Sequence, residues 1–189
     1  MRVIAGEYRR RVLRSLPGFE VRPTADRLRE TLFNVLCSGD PTALTKTIWI
    51  DLYAGTGAVG IEALSRGASM VHFVESSKIA ADVIAANLKS LAIASGFKIM
   101  KLEAGKALRQ LDASGSVADF VFLDPPYAMQ DEYAKTLAAL AESKLLRERS
   151  LVIAEHQKRF DPGETFGNLR RYRKLVQGDA ALSFYRLTP

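Results

Sequence analysis

Short apolar runs alternate with longer helical patterns through most of this chain, and few folds accept such a sequence. The runs "TIWIDLY", "SMVHFVE", "FKIMKL", "DFVFLD" and "SLVIAEH" have the length and the β-branched or aromatic content of buried strands. Between them, "AVGIEALSR", "SKIAADVIAANLKSLAI", "GKALRQL" and "DEYAKTLAALAESKLL" carry apolar residues at helical spacing. Alternation of this kind predicts an α/β fold, a parallel sheet with helices on both faces. After His156 the pattern changes. "RRYRKLVQGDAALSFYRL" holds two strand-like runs around "QGDA" and no long helix, which predicts an antiparallel hairpin closing the sheet. At the other end, "RVIAGEYRRRVLRSL" reads as a small ribbon. "TADRLRETLFNVL" reads as a helix capped by Thr24, with an apolar stripe of Leu28, Leu32, Val35 and Leu36. The chain so divides into a basic N-terminal extension over residues 1–40, ribbon plus helix, and an α/β domain over residues 41–189.

Composition narrows the partners. A hydrophobic content of 48% in 189 residues is enough for a full core. The longest apolar runs are broken by charges well short of a membrane span, and Met1 is followed by "RVIAGEYRRR" rather than a secretory apolar region. The chain therefore reads as cytoplasmic, with no membrane partner. A lone Cys37, with only His72 and His156 to assist it, makes neither an internal disulfide nor a zinc site, so no metal is expected. The formal net charge of +6 is concentrated at the two ends. Residues 1–30 hold eight arginines, Arg2, Arg9, Arg10, Arg11, Arg14, Arg22, Arg27 and Arg29, against four acids. Residues 156–177 hold six Lys or Arg against two acids. Clustered arginine suits a polyanion; the competing reading is a solvated charged surface.

The first strand runs into "DLYAGTGAVG", where Gly55, Gly57 and Gly60 fit G-x-G-x-x-G and Glu75 closes the second strand. That spacing lets backbone approach a ligand while an acid takes ribose hydroxyls, as in dinucleotide sites. Asp51, at the tip of the first strand, discriminates between ligands. A carboxylate there repels a pyrophosphate but suits a ligand that presents an ammonium and a sulfonium. S-adenosylmethionine is such a ligand. The candidate cofactor residues are Asp51, the loop residues Tyr53, Ala54, Gly55, Thr56 and Gly57, and Glu75 with Ser76.

The fourth strand ends in "FVFLDPPY". Asp124 and Pro125 each precede a proline, which pushes both into extended backbone and holds two acceptors, the Asp124 carboxylate and the Pro125 carbonyl, beyond the sheet edge. Neither Pro125 nor Pro126 can donate to a ladder, so the strand must stop. Two fixed acceptors match a planar NH₂ group, and Tyr127 adds a face on which a heterocyclic base can stack. Accepting both hydrogens localises the amine lone pair toward a methyl donor by positioning and electrostatics. Asp124, Pro125, Pro126 and Tyr127 are the candidate catalytic residues. Methylating an amine needs no group of neutral pKa, so neither histidine is assigned a role.

"DPPY" in this position resembles the motif of methyltransferases acting on exocyclic or amide nitrogen. Together with "RVIAGEYRRRVL", "RPTADRLRETLFNVL" and "DLYAGTGAVGIEALSRGA", it resembles the bacterial 16S ribosomal RNA guanine-N2 methyltransferase family (RsmD type) from residue 2 to about residue 157. The resemblance implies a Rossmann-like class I methyltransferase fold with a seven-stranded, mostly parallel sheet. It also implies methyl transfer from S-adenosylmethionine to the N2 amine of one guanine in 16S RNA, within a small-subunit assembly particle. In "LEAGKAL" it places Glu103 and Ala104 beside the adenine. Arg2, Arg9, Arg10, Arg11, Arg22, Arg27 and Arg29 are then the candidate RNA contacts. The alternatives are a nicotinamide oxidoreductase, a DNA-adenine or protein-glutamine methyltransferase, and a non-catalytic RNA-binding assembly factor.

Overall fold

Each of the five apolar runs forms a strand: β1 (Ile48–Leu52), β2 (Met70–Val74), β3 (Phe97–Met100), β4 (Ala118–Leu123) and β5 (Leu146–Gln157). The structure, a computed structural model, describes residues 1–16 and 23–188, the side chains of residues 23–25 excepted. Arg22 and the Thr24 side chain, both singled out above, lie outside the described residues. The helical patterns form α1 (Pro23–Leu36), α2 (Ala58–Ser65), α3 (Lys78–Ser90), α4 (Ala104–Ala113) and α5 (Asp131–Glu142). The C-terminal segment adds β6 (Thr165–Phe166), β7 (Leu169–Gln177) and β8 (Ala180–Leu187).

All eight strands belong to one sheet in the order β3-β2-β1-β4-β5-β8-β7-β6. The first five are parallel and β8 runs antiparallel beside β5. This is the α/β, Rossmann-like class I methyltransferase arrangement, with one strand more than expected. The extra strand is β6, whose Thr165 and Phe166 pair with Arg170 and Leu169 across a turn at Gly167 and Asn168. Two residues are too few to show any period in a sequence, although a Gly-Asn pair between apolar residues is itself a hairpin signal. The expected hairpin at "QGDA" forms between Gln177 and Ala180, with Gly178 at φ 61°.

Helices cover both faces of the sheet, and each face has its own core. On one, Phe33 of α1 stacks on Trp49 with ring centroids 5.5 Å apart, and Trp49 stacks on Phe120 at 4.7 Å. Val3 and Leu13 of the N-terminal ribbon and Ile61, Leu64, Ile84 and Leu88 of α2 and α3 join this core. The other face holds Leu108, Leu111, Leu137 and Leu140 of α4 and α5 against Val121, Leu123 and Val152. The ribbon itself closes at Arg2 and Val12. It hangs from the C-terminal half of α2, where the fully buried Glu62 accepts the Ile4 and Ala5 N–H groups at 2.7 and 3.0 Å. Backbone N–H groups that would otherwise be orphaned thereby find a charged acceptor.

The chain leaves β1 outward through β2 and β3, then returns to β4 on the opposite side of β1. The order reverses there, and the loops after β1 and β4 part. In open α/β sheets that crevice, at the carboxyl ends of the strands, is where ligands bind.

Candidate active site

A cavity of about 550 Å³ occupies this crevice, lined by Tyr53 and Gly55 after β1, Glu75 and Ser76 after β2, Glu103 and Ala104 after β3, and the Asp124–Tyr127 turn after β4. Every loop at the carboxyl edge of β1 to β4 contributes. Ten of the fourteen residues expected from the sequence to bind cofactor or act in catalysis line the cavity. Asp51, Ala54, Thr56 and Gly57 do not.

The loop after β1 turns sharply. Tyr53, Gly55 and Gly57 adopt φ of 60°, 57° and 78°, and Gly57 N–H closes the turn on the Ala54 carbonyl at 2.7 Å. The glycines serve different purposes. A Cβ on Gly60 would stand 2.3 Å from the Phe73 ring and 2.7 Å from Val71, so this glycine lets α2 lie close against β2. A Cβ on Gly55 would meet nothing nearer than 3.9 Å, which leaves the space over that backbone for a ligand.

Asp51 lies behind this loop at 2% exposure, where its Oδ2 accepts the Gly60 N–H at 2.9 Å. The sequence suggested direct contact with the ligand. Instead the carboxyl ties β1 to the first turn of α2 behind the cavity wall. Burial pushes it up to about 8, opposed by the Gly60 N–H and reinforced by Asp124 and Glu75.

Glu75 joins two loops. Its Oε2 accepts the Gly55 N–H at 2.9 Å and its Oε1 the Ser77 N–H at 2.8 Å. Each oxygen retains a lone pair for a hydroxyl. Ser77 caps α3 through the Ala80 N–H. Ala104 is buried at the start of α4, whereas the Glu103 side chain is turned outward to Lys106 at 3.1 Å.

At the end of β4, Pro125 is buried while Pro126 and Tyr127 are exposed, and the Met129 N–H turns back to the Pro126 carbonyl at 2.7 Å. Asp124 accepts no hydrogen bond from the described residues. Burial pushes its carboxyl up to about 7. Glu155, next to it at the end of β5, is raised well above the carboxylate range by burial and then by Asp124, with Arg29 acting in the opposite sense. Glu75 and Asp124 line the cavity, with Asp51 and Glu155 close behind them. A ligand carrying positive charge would offset their repulsion, so the residues present fit S-adenosylmethionine.

Several lining residues were not read from the sequence. Leu16, Leu102, Met129 and Glu132 complete the wall. Glu132 and Thr136, one turn apart on α5, both engage the Tyr53 hydroxyl at 3.1 Å. The signal was available, since a half-buried tyrosine needs a partner and an i, i+4 polar pair on an otherwise apolar helix face supplies one.

Among the candidate RNA contacts, Arg2, Arg9, Arg10, Arg11 and Arg27 are exposed. Arg29 is a correction. It is 6% exposed, its Nη2 donates to the Arg2 carbonyl at 2.6 Å and to Asp26 at 3.2 Å, and no phosphate can reach it. Four residues before the buried Phe33, it lies on the core side of α1 and holds the ribbon against the helix.

The arrangement is shared. A family model described as conserved hypothetical protein 95 matches residues 1–186. The ribosomal RNA small subunit methyltransferase D of Haemophilus influenzae is 33% identical over 158 residues, covering 84% of this chain and 79% of its own. The protein of the same name from Escherichia coli K12 is 30% identical over 186 residues, covering 98% of this chain and 89% of its own. Among solved structures, Escherichia coli yhhF superposes with a TM-score of 0.84 at 28% identity, over 99% of this chain and 97% of that one. A hypothetical protein of Thermus thermophilus superposes at 0.80 with 27% identity, over 97% of this chain and 98% of that one. Matched along nearly its whole length, from the ribbon to β8, the chain belongs to the conserved hypothetical protein 95 family, the RsmD family that its motifs resemble.

Proposed function

We propose that this protein transfers the methyl group of S-adenosylmethionine to the exocyclic N2 amine of a guanine in 16S ribosomal RNA, acting in the cytoplasm on a small-subunit assembly particle. The observation that carries the reading is the turn after β4. Asp124 faces the cavity with no hydrogen-bond donor to it among the described residues, and the Pro125 carbonyl beside it is fixed by the proline that follows.

When bound, S-adenosylmethionine supplies an electrophilic methyl on a sulfonium. Glu75 would take its ribose hydroxyls, the Gly55 backbone its approach, and Leu102, Glu103 and Ala104 its adenine, while Tyr53 and Ser76 complete the cradle. Ala54, Thr56 and Gly57 hold the loop's shape behind Gly55, and Asp51 biases the cavity toward a cation. Tyr127 would stack on the guanine. Asp124 and Pro125 would accept its two amine hydrogens and aim the lone pair at the methyl carbon. After transfer the amine nitrogen sheds one proton, to water or to the Asp124 carboxylate. Residues 1–40 act as an extension to the domain over residues 41–189, in which Arg2, Arg9, Arg10, Arg11 and Arg27 meet RNA phosphates. The names of the Haemophilus and Escherichia relatives support the substrate class.

The deciding experiment incubates the protein with labelled methyl donor and, separately, immature small-subunit particles, naked 16S RNA, duplex DNA and a release factor. Label is expected in the RNA, at an N2-methylguanine located by mass spectrometry. Label in the DNA or the release factor alone would overturn the reading.

A further inference from the structure

The C-terminal hairpin carries the second basic segment, and the structure sorts its charges by face. On one face Arg171 is engaged within the protein, its Nη1 donating to Asp161 at 2.7 Å and its Nη2 to Glu164 at 3.1 Å, with Lys174 3.4 Å from Asp161. On the other, Arg170, Arg173 and Arg186 are exposed, and no acid pairs with any of them among the described residues. Arg170 and Arg186 stand directly opposite each other on β7 and β8. Like charges so placed repel and weaken the pairing.

A bulge between Arg171 and Arg173 adds Tyr172 to this second face. The tyrosine is 46% exposed, with the Arg186 guanidinium 4.3 Å above its ring and Phe184 6.3 Å to its side. Arg173 lies 5.8 Å over Phe184. Beyond Arg170, β7 has no strand on its outer side among the described residues, and charges on such an open edge deter pairing with other chains, which would account for Arg173. It would not account for a tyrosine exposed among guanidiniums, nor for two arginines set face to face. Both features suit a strand of nucleic acid, whose bases stack on aromatic rings and whose phosphates separate like-charged cations. Phe184 belongs to the same core as Val3, Leu13, Leu28 and Phe33, so the two basic ends of the chain, far apart in sequence, lie on one side of the sheet.

We propose that Tyr172, with Arg170, Arg173 and Arg186 around it, is a second RNA contact: a platform for one unpaired base with the neighbouring phosphates on the arginines. This inference rests on the RNA reading above and deepens it. β7 lies three strands from β4, roughly 14 Å at a strand spacing of about 4.8 Å, so RNA held here extends past the cavity and helps orient the target.

The test uses a labelled single-stranded RNA of about 12 nucleotides, within the usual range for such surfaces, and a duplex of equal length. Tyr172→Ala is expected to weaken single-strand binding about tenfold, with Tyr172→Phe within about twofold of wild type. Arg170→Ala with Arg186→Ala should lower the slope of log affinity against log salt by about 1.4. Affinity for S-adenosylmethionine should not move in any variant. Unchanged RNA affinity and salt slope would overturn the proposal. So would equal losses in Tyr172→Ala and Tyr172→Phe, or a change only in self-association by sedimentation. If wild type methylates 16S RNA while the hairpin variants bind as wild type does, the surface is wrong and the enzyme reading stands. If wild type methylates no RNA but binds the single strand through Tyr172, the reverse holds.

Discussion

The ends of β2 and β4 present an acid to the same cavity and hold it in opposite ways. Glu75 is fixed by hydrogen bonds, two backbone N–H groups clamping its two oxygens. Asp124 accepts nothing from the described residues and is fixed by backbone, since Pro125 and Pro126 restrict the chain and offer no N–H. Its neighbour across the sheet is another acid, Glu155. A carboxylate whose partners are already in place can bind a ligand without rearranging. One whose acceptor sites are unclaimed keeps them for hydrogens that arrive with the substrate. On the proposed reading, the difference separates an acid that holds the cofactor from one that receives the substrate amine.

The sharpest way to break this contrast is to truncate both acids. Asp124→Ala is expected to lower single-turnover methyl transfer at least ~100-fold while leaving cofactor affinity nearly intact, the scale for removing a preorganised electrostatic contact. Asp124→Asn, whose amide oxygen still accepts, should keep measurable activity where Ala keeps almost none. Rates near wild type for both would make the turn purely structural. Glu75→Ala should act on binding instead, weakening S-adenosylmethionine by about 1–3 kcal/mol in titration calorimetry. Unchanged affinity would remove Glu75 from the site.

A smaller effect is expected from pH. Asp51, at about 8, and Asp124, at about 7, hold protons in the folded protein that the unfolded chain has already lost above the ordinary carboxylate range. Folded pKa values raised in this way mean stability that is greatest at low pH and declines as pH rises through 7 and 8. The ligand-free melting temperature should therefore fall between pH 6 and pH 8. A cationic ligand favours the ionised forms, so S-adenosylmethionine should bind more tightly across the same interval and release protons, measurable as a buffer-dependent binding enthalpy. The smallest change comes from Glu155→Gln. Removing that neighbouring charge should move the midpoint of the pH dependence of cofactor affinity downward by less than about one unit. A midpoint that stays put would show that Asp124 does not sense Glu155.

The parts of this site that were legible in the sequence are those fixed by local covalent geometry. Glycines at a set spacing, an acid at a strand end and paired prolines each constrain the backbone wherever they occur, and Gly55, Glu75 and Asp124 stand where such constraints put them. What could not be read depends on long-range packing. Leu16 and Glu132 reach the cavity only because the N-terminal segment and α5 fold back over it. Glu155 matters only because β5 pairs with β4. Arg29 was misread because charge count says nothing of direction, although its place one turn before Phe33 marked it as facing inward. β6 was missed because a two-residue strand carries no period.

The stacked aromatic column of Phe33, Trp49 and Phe120 makes the protein its own optical reporter. Trp49 is the single tryptophan of the chain, fully buried, with its indole N–H donating to Thr47 at 3.2 Å. Its emission therefore originates wholly from the seam where the arginine-bearing first helix meets the sheet. A blue-shifted band that moves to the red before the far-ultraviolet signal is lost would register the N-terminal segment lifting away while the sheet persists. Undocking and global unfolding can so be followed separately, without a label.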